Sequence, residues 1–299
     1  MSKYCSIYSV DYLLSSRIYK LKKKMGGLPI SLRKVRVIPI PKLEGASSIS
    51  EFRPISVMNT IRRVIDKVLL SVLAPIEASL SVFQRGFRSF VSGVSDCSLL
   101  LRTVVGSDRP AAVAFIDIRN AYNSVQHKAI EGVLERILPH LPAARKVILS
   151  GLCSVSRVEV RNWHSPPFTT TAGVAQGGAL SPLLFALVID RAVRRIHERG
   201  GGFRVGDAEQ VRLSILAFAD DVVLIAESPE ELHHCVCKFE QDLKLIGLSL
   251  NESKCGVWMN KFHASQWKVR LPIVEQYKYL GAIFPSPSRD WTERAVLIA

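Results

Sequence analysis

Two adjacent carboxylates, Asp220 and Asp221, interrupt residues 213–227, LSILAFADDVVLIAE. Apolar, β-prone runs of this length with a polar break between them read as a tight β-hairpin with both acids at its tip. Neighbouring anions repel, and one of such a pair has its pKa raised. A cation relieves that repulsion, and hard carboxylate oxygens on a rigid turn suit Mg²⁺ or Mn²⁺. Asp is also common in ordinary solvated turns, so the pair alone leaves both readings open. A third carboxylate, Asp117, lies near the end of the apolar run 111–118, AAVAFIDI. An acid there can also be an N-cap or an ion-pair partner. Clustered on rigid strands, three carboxylates can hold two divalent ions about 4 Å apart, the arrangement that serves in-line phosphoryl transfer.

The surrounding elements must bring these acids together. The run at 111–118 reads as a buried strand, followed by an amphipathic helix to about residue 138. Residues 157–162 and 168–174 read as two strands joined at Pro166-Pro167. The segment 173–182, GVAQGGALSP, is a glycine-rich turn whose backbone can approach a ligand closely. Ser181 and Pro182 then suit the start of a helix to about His197. After the aspartate hairpin, residues 229–246 read as an amphipathic helix closed by Gly247, with Glu230 and Glu231 at the positive end of its dipole. A short strand follows at 248–250, and residues 277–284 read as a further β segment. This order suits a split βαβ, ferredoxin-like sheet.

Upstream, residues 34–41, KVRVIPIP, alternate as a strand, with Lys42 next and Arg53 in FRPIS (52–56) soon after. A Lys and an Arg on neighbouring strands can grip a triphosphate, or be ordinary surface cations. Residues 60–79 show helical periodicity through Ile61, Val64, Ile65, Val68, Leu69 and Val72, with Arg62, Arg63 and Lys67 on the other faces and a break or kink expected at Pro75. The stretch Gln84-Arg85-Gly86-Phe87-Arg88 is a basic-aromatic segment suited to phosphates or base stacking. His233, His234, Cys235 and Cys237 have metal-ligand spacing but fall inside a helical pattern without a second half-site, so no zinc site is expected.

The 299 residues carry a formal net charge of +14, with 48% hydrophobic and 22% charged residues. That is a globular composition, and so large a basic excess points to a polyanionic partner, most simply nucleic acid. Residues 1–42 hold ten Lys and Arg against Asp11 alone, enough to neutralise several phosphates or to form a solvated tail. The longest apolar runs are too short to span a bilayer, and no secretory leader is expected. Six scattered cysteines suit a reduced, intracellular chain rather than a disulfide framework.

Taken in order, the motifs resemble the reverse transcriptase domain of non-long-terminal-repeat (LINE-type) retrotransposons. FIDIRNAYNSV resembles the first acidic motif, GVAQGGALSP the glycine-rich motif and AFADD the paired-aspartate box. GLSLNESKC resembles the lysine-bearing motif, YKYLGAIF the primer grip, and KVRVIPIPK with FRPIS the upstream fingers motifs. The match runs from about residue 34 to 284. Phe rather than Tyr before Ala-Asp-Asp is unlike retroviral or intron-encoded enzymes, and the NESKC and YKYLG details resemble the clade bearing a restriction-like endonuclease. Another two-metal palm enzyme, such as a nucleotide cyclase, would not explain the fingers motifs or the charge.

The resemblance implies an α+β, right-hand polymerase: a basic extension (1–33), fingers (34–110), a ferredoxin-like palm with inserted elements (111–284) and the start of a truncated thumb or connector (285–299), the thumb being largely missing. It implies RNA-directed DNA synthesis with two Mg²⁺ or Mn²⁺ ions held by Asp117, Asp220, Asp221 and the backbone of Ile118. Tyr122 would screen the sugar 2′ position, Arg53 and Lys42 would hold the incoming triphosphate, and Gln176 and Gly177 would line the nascent base pair. Lys254 would protonate the pyrophosphate, and Tyr279, Leu280 and Gly281 would seat the primer end. The partners implied are an RNA template, a DNA primer and dNTPs, with no membrane and with endonuclease or other element-encoded domains supplied in trans. The implied location is the nucleus, with a cytoplasmic ribonucleoprotein stage. The family often has Ala-Phe-Asp where this chain has Ala121-Tyr122-Asn123, and Arg or Pro where Ala175 stands. The alternative is a catalytically weak, nucleic-acid-binding remnant of such an element.

Overall fold

The structure, a computed structural model, describes residues 26–284 apart from 90, 207–210 and 269. Residues 1–25 of the basic extension and the expected thumb segment 285–299 lie outside the described residues. In chain order the elements are β1 (Lys34–Pro41), β2 (Phe52–Met58), α1 (Thr60–Leu73), α2 (Gly93–Val105), β3 (Ala111–Ile116), α3 (Ala121–Ser124), α4 (His127–Ile137) and α5 (Pro142–Leu152). Then come β4 (Val155–Val160), β5 (Trp163–His164), β6 (Phe168–Thr169), α6 (Ser181–Glu198), β7 (Phe203–Val205) and β8 (Val211–Leu213). The chain ends through β9 (Ile215–Phe218), β10 (Asp221–Ala226), α7 (Pro229–Lys244), β11 (Gly256–Asn260), β12 (Tyr277–Tyr279) and β13 (Ala282–Phe284). Two compact units interleave along it, residues 1–79 with 125–184 and residues 80–124 with 185–299. Among the described residues no helix is long and apolar enough to cross a membrane.

In the first unit β1 pairs antiparallel with β2 and parallel with β4, which also carries β5 and β6. α1 is capped by Asn59, whose side chain accepts from the Ile61 amide at 2.8 Å. It ends at Leu73, two residues before Pro75, and a 3₁₀ turn continues over Ala74–Ser79. Its orientation corrects the sequence expectation. Ile61 and Val64 are exposed, whereas Arg62 and Asp66 are 6% and 3% exposed. The two buried charges neutralise each other one turn apart, Arg62 Nε donating to Asp66 Oδ1 at 2.7 Å. The guanidinium occupies the space left by Gly151 of α5, where a Cβ would collide with it.

A second correction concerns the helix expected through residue 138. It breaks into α3 and α4 because Gln126 is extended and bridges to Ala172, while the Val125 carbonyl accepts from Gly173 N at 2.8 Å. Of the strand expected at 168–174, Phe168–Thr169 pairs with β4 and Ala172 makes only the isolated bridge to Gln126. At 248–250 there is a single bridge, Leu250 to Ile118, and the strand proper is β11.

The second unit is built on an antiparallel sheet ordered β11-β3-β10-β9. Counted along this unit's chain the order is 4-1-3-2, and with α6 and α7 as crossovers it is the ferredoxin-like split βαβ. Every residue of β3 is buried, as expected for a strand covered on both faces. On one face Val113, Phe115, Val223 and Trp258 pack with Leu101 and Val104 of α2 and with Tyr279 and Phe284. α7 packs against β3 and β10. It is capped by Ser228, with Pro229 in its first turn. The 277–284 segment is a hairpin, β12 paired with β13.

Arg62→Leu strands the Asp66 carboxylate and is expected to cost about 3 kcal/mol. Replacing both partners by Leu should recover most of that loss. Urea denaturation of the three proteins checks this.

Candidate active site at the carboxylate hairpin

β9 and β10 pair with Phe218 opposite Asp221, so the hairpin closes on the two residues Ala219 and Asp220. Ala219 has φ +56°, a left-handed conformation that costs a residue with a Cβ about 1–2 kcal/mol. On its other side β10 pairs with β3, Val222 opposite Ile116. Asp117 follows β3 directly, one residue past that pair, and its charge acts on Asp221. Residues opposed across an antiparallel pair have Cβ atoms about 5 Å apart, so a continuation of this register by one step would put the two carboxylates on one face. The hairpin and the end of the central strand thus bring Asp117, Asp220 and Asp221 to one end of the sheet.

The electrostatics follow from this crowding. Asp221 is open to solvent on one side, yet the surrounding protein strips water from its carboxyl. That burial, then Asp220, then Asp117, raise it to about 6. Asp220 is likewise raised, first by burial and also by Asp117, against its own backbone amide, which lowers it. No Lys or Arg is among the groups acting on either acid. Among the described residues no three acidic, His or Cys side chains converge as a finished cation cage. The donor chemistry nonetheless fits divalent ions: hard oxygens, mutual repulsion and, among the described residues, no basic group acting on Asp220 or Asp221.

Asp117 is held from behind by the loop before β11. Its Oδ2 accepts from Asn251 Nδ2 at 2.9 Å, and its backbone carbonyl accepts from Asn251 N at 2.8 Å. The Asp117 amide donates to the buried Cys255 Sγ at 3.3 Å. Burial raises that thiol to about 11, keeping it a neutral packing group. Ile118 is buried and bridges to Leu250. Lys254 is exposed on the same loop, and its carbonyl accepts from Tyr277 OH at 2.8 Å. Sequence reasoning singled out the lysine and missed Asn251. The available signal was a short amide side chain three residues ahead of that lysine.

Tyr122 lies on α3 with its ring stacked on Phe185 of α6, centroids 5.0 Å apart. Burial, and then Asp220 and Asp221, push its phenol up, so it stands beside the carboxylates as a neutral hydroxyl. The β12–β13 hairpin presents less of itself than the sequence suggested. Tyr279 is buried against Phe115 and Phe284, and Tyr277 stacks flat on Phe115 at 4.3 Å. Leu280 and Gly281, both with positive φ, form the turn. The hairpin offers backbone at its tip rather than the Tyr279 ring.

The remaining sequence-predicted residues belong to the first unit. Ile40 faces Arg53 across β1–β2, and Lys42 lies two residues beyond Ile40. Lys42 follows the end of β1 in a bend, its amide donating to the Glu51 carbonyl at 2.8 Å, so it stays next to the start of β2, which carries Arg53. Both are exposed, and Lys42 Nζ donates to the Ser50 carbonyl at 2.7 Å. The glycine-rich turn docks on the same strand, the Gln176 carbonyl accepting from Ser56 N at 2.7 Å. Gly177 has φ +100°, and a Cβ there would press on the Ser56 carbonyl. Ser181 is the first residue of α6, its Oγ donating to the Ala175 carbonyl at 2.6 Å.

Comparison with known proteins places this geometry. The family described as reverse transcriptase (RNA-dependent DNA polymerase) matches residues 40–284. The chain belongs to that family. A retrovirus-related Pol polyprotein from the type-1 retrotransposable element R2 of Nasonia vitripennis is 28% identical over 298 residues, covering 93% of this chain and 28% of its own length. Its counterpart from the type-2 element R2DM of Drosophila melanogaster is 32% identical over 292 residues, covering 91% of this chain and 27% of its own. These relatives support the assignment to a non-LTR element, and the chain spans about a quarter of their length. Among solved structures, apo telomerase from Candida tropicalis, truncated from its C-terminal domain, superposes with a TM-score of 0.57 at 14% identity, over 95% of this chain and 59% of that one. At that identity the likeness shows the fold, the right-hand polymerase. Reverse transcriptases as a family use divalent metal ions.

The raised Asp221 makes a pH prediction. The folded state holds the Asp221 proton more tightly than the unfolded state, whose value is near the ordinary 3.8. Stability from this group is therefore complete below about pH 3.8 and lost as pH rises through about 6. Without metal, Asp221→Asn should melt a few degrees above the wild type at pH 7.5, the gap shrinking by pH 4.5. Circular-dichroism melts at the two pH values check this.

Proposed function

We propose that this reverse transcriptase domain extends a DNA primer on an RNA template by nucleotidyl transfer from dNTPs. One observation carries the reading: Asp117, at the end of the central strand, and the turn residues Asp220 and Asp221 crowd together closely enough to raise the pKa of the turn pair, with no Lys or Arg among the described groups acting on that pair. When bound, two divalent ions (Mg²⁺ or Mn²⁺) would lower the pKa of the primer 3′ hydroxyl and neutralise the leaving pyrophosphate. Asp117, Asp220, Asp221 and the Ile118 carbonyl are the oxygens that would hold them.

The protein's other residues bind, orient and move protons. Arg53 and Lys42 supply fixed positive charge to the triphosphate, Arg as a fork and Lys as a point charge. Gln176 and Gly177 set a close backbone wall for the nascent base pair. The neutral Tyr122 hydroxyl and ring occupy the space a 2′ hydroxyl would need. Lys254 donates a proton to the departing pyrophosphate. The turn at Leu280 and Gly281 orients the primer end through its backbone, with Tyr279 anchoring the turn in the core. In this reading the second unit is the palm, the first the fingers, and residues 285–299 lead toward a thumb or connector.

The basic residues of 1–42 add sequence-independent phosphate contacts to template and primer. Endonuclease or other element-encoded domains would act in trans. Synthesis would take place in the nucleus, after a cytoplasmic ribonucleoprotein stage.

Primer extension on an RNA template with Mg²⁺ tests the reading. The wild type should incorporate dNTPs, and Asp220→Asn should fall to background. RNA binding without incorporation by either protein would show a binding remnant instead. Arg53→Ala should raise KM for dNTP about tenfold to a hundredfold, the loss of a charge-assisted contact, while kcat changes little. Steady-state kinetics at saturating template measure that split.

A further inference from the structure

Part of the segment expected to meet phosphates or bases is engaged within the protein. Gln84 makes an isolated parallel bridge to Ala217 at the edge of β9. The Phe83 carbonyl accepts from Ala217 N at 2.9 Å, and Arg85 N donates to the Ala217 carbonyl at 2.7 Å. Gln84, between them, is 0% exposed. Its Oε1 accepts two backbone amides, Ala219 N at 3.0 Å and Gly86 N at 3.1 Å.

Ala219 is the left-handed residue of the carboxylate turn, and the residue after it is Asp220. The Gln84 oxygen thus takes up the amide of the strained residue that aims Asp220. Gly86 allows the approach, because a Cβ there would run into Ala219 N. Behind the segment, Gly93 at the start of α2 packs so closely that a Cβ would strike the Arg85 carbonyl. Phe87 lies against Phe218, the last residue of β9, with ring centroids 5.4 Å apart.

The choice of Gln is informative. Its Nε2 is buried without a partner among the described residues, and an unmade hydrogen bond in a buried place destabilises the fold. That cost is tolerated where the acceptor oxygen is needed. A Glu would supply the same oxygen but would bring another negative charge to a turn already crowded with acids. The side chain is therefore a neutral acceptor of the right length.

We propose that Gln84 is a positioning residue for the metal-binding turn: its side-chain oxygen locks the left-handed Ala219 backbone and so fixes the direction of Asp220. The latch rests on the geometry above; its consequence for synthesis rests on the polymerase reading. Gln84→Met keeps the length and removes the acceptor. Two readouts separate the claims. The first is amide exchange over the 213–224 peptide, which should be protected in the wild type, faster in Gln84→Met, and protected again in Gln84→Glu. The second is the Mg²⁺ dependence of primer extension, where Gln84→Met should need several-fold more Mg²⁺ for half-maximal rate and lose about tenfold in kcat, with KM for dNTP unchanged.

Unchanged exchange, or a lowered melting temperature with the wild-type Mg²⁺ requirement and kcat, would overturn the proposal. If the wild type itself makes no DNA, the polymerase reading fails while the exchange comparison still decides the latch. Should Gln84→Met not fold, Gln84→Asn, which withdraws the oxygen by one methylene, is measured in its place with the same expectations.

Discussion

Like-charge repulsion across two adjacent strands is the constraint that organises the second unit. The register that pairs Val222 with Ile116 brings Asp117, just past the end of β3, within electrostatic reach of Asp221, and the turn adds Asp220. Left alone, such a cluster would splay apart or take up protons, as the raised Asp220 and Asp221 indicate. It persists because the strands carrying it are not free to move. β3 is buried along its whole length, α7 packs against β3 and β10, and both edges of the sheet are extended by short pairings. Residues 83–85 add beside β9 at one edge, and Ile273 bridges Val257 of β11 at the other.

The backbone around each acid is over-determined in the same way. Asn251 and Cys255 grip the main chain and carboxylate of Asp117. Gln84 grips the turn before Asp220. Tyr122, stacked on Phe185, borders the acids without adding charge. Repulsion held in place by rigid packing preorganises these oxygens toward positive charge, which is the electrostatic requirement of phosphoryl transfer. The first unit shows a complementary logic in its own frame, with Lys42 next to the start of the strand that carries Arg53 and a glycine turn docked against Ser56.

The chemistry of the site was legible because it is written in contiguous residue types. Paired Asp between apolar runs, an Asp near the end of an all-apolar strand, and a double glycine before Ser-Pro each carry a local physical meaning. Less legible was whatever depends on contacts between distant segments. The periodicity of α1 pointed Ile61, Val64 and Leu69 inward, but only Leu69 of these is buried, beside the Arg62–Asp66 pair, whose guanidinium fits against Gly151. Gln84 looked like part of a basic loop, since nothing local tells that its oxygen meets Ala219, 135 residues later. Nor does the YKYLG pattern tell that the Tyr279 ring is buried against Phe115 in the core. The break between α3 and α4 likewise depends on a bridge to Ala172 that no local pattern encodes.

The central claim is that the three carboxylates form one site whose repulsion a divalent ion relieves. Mn²⁺ titration followed by electron paramagnetic resonance tests it directly, because bound Mn²⁺ loses the signal of the free ion. The wild type should show saturable binding at pH 7.5 that weakens at pH 5, where Asp221 is protonated, and that is lost in Asp117→Asn and in Asp221→Asn alike. Equal Mn²⁺ binding by the wild type and both variants would contradict it.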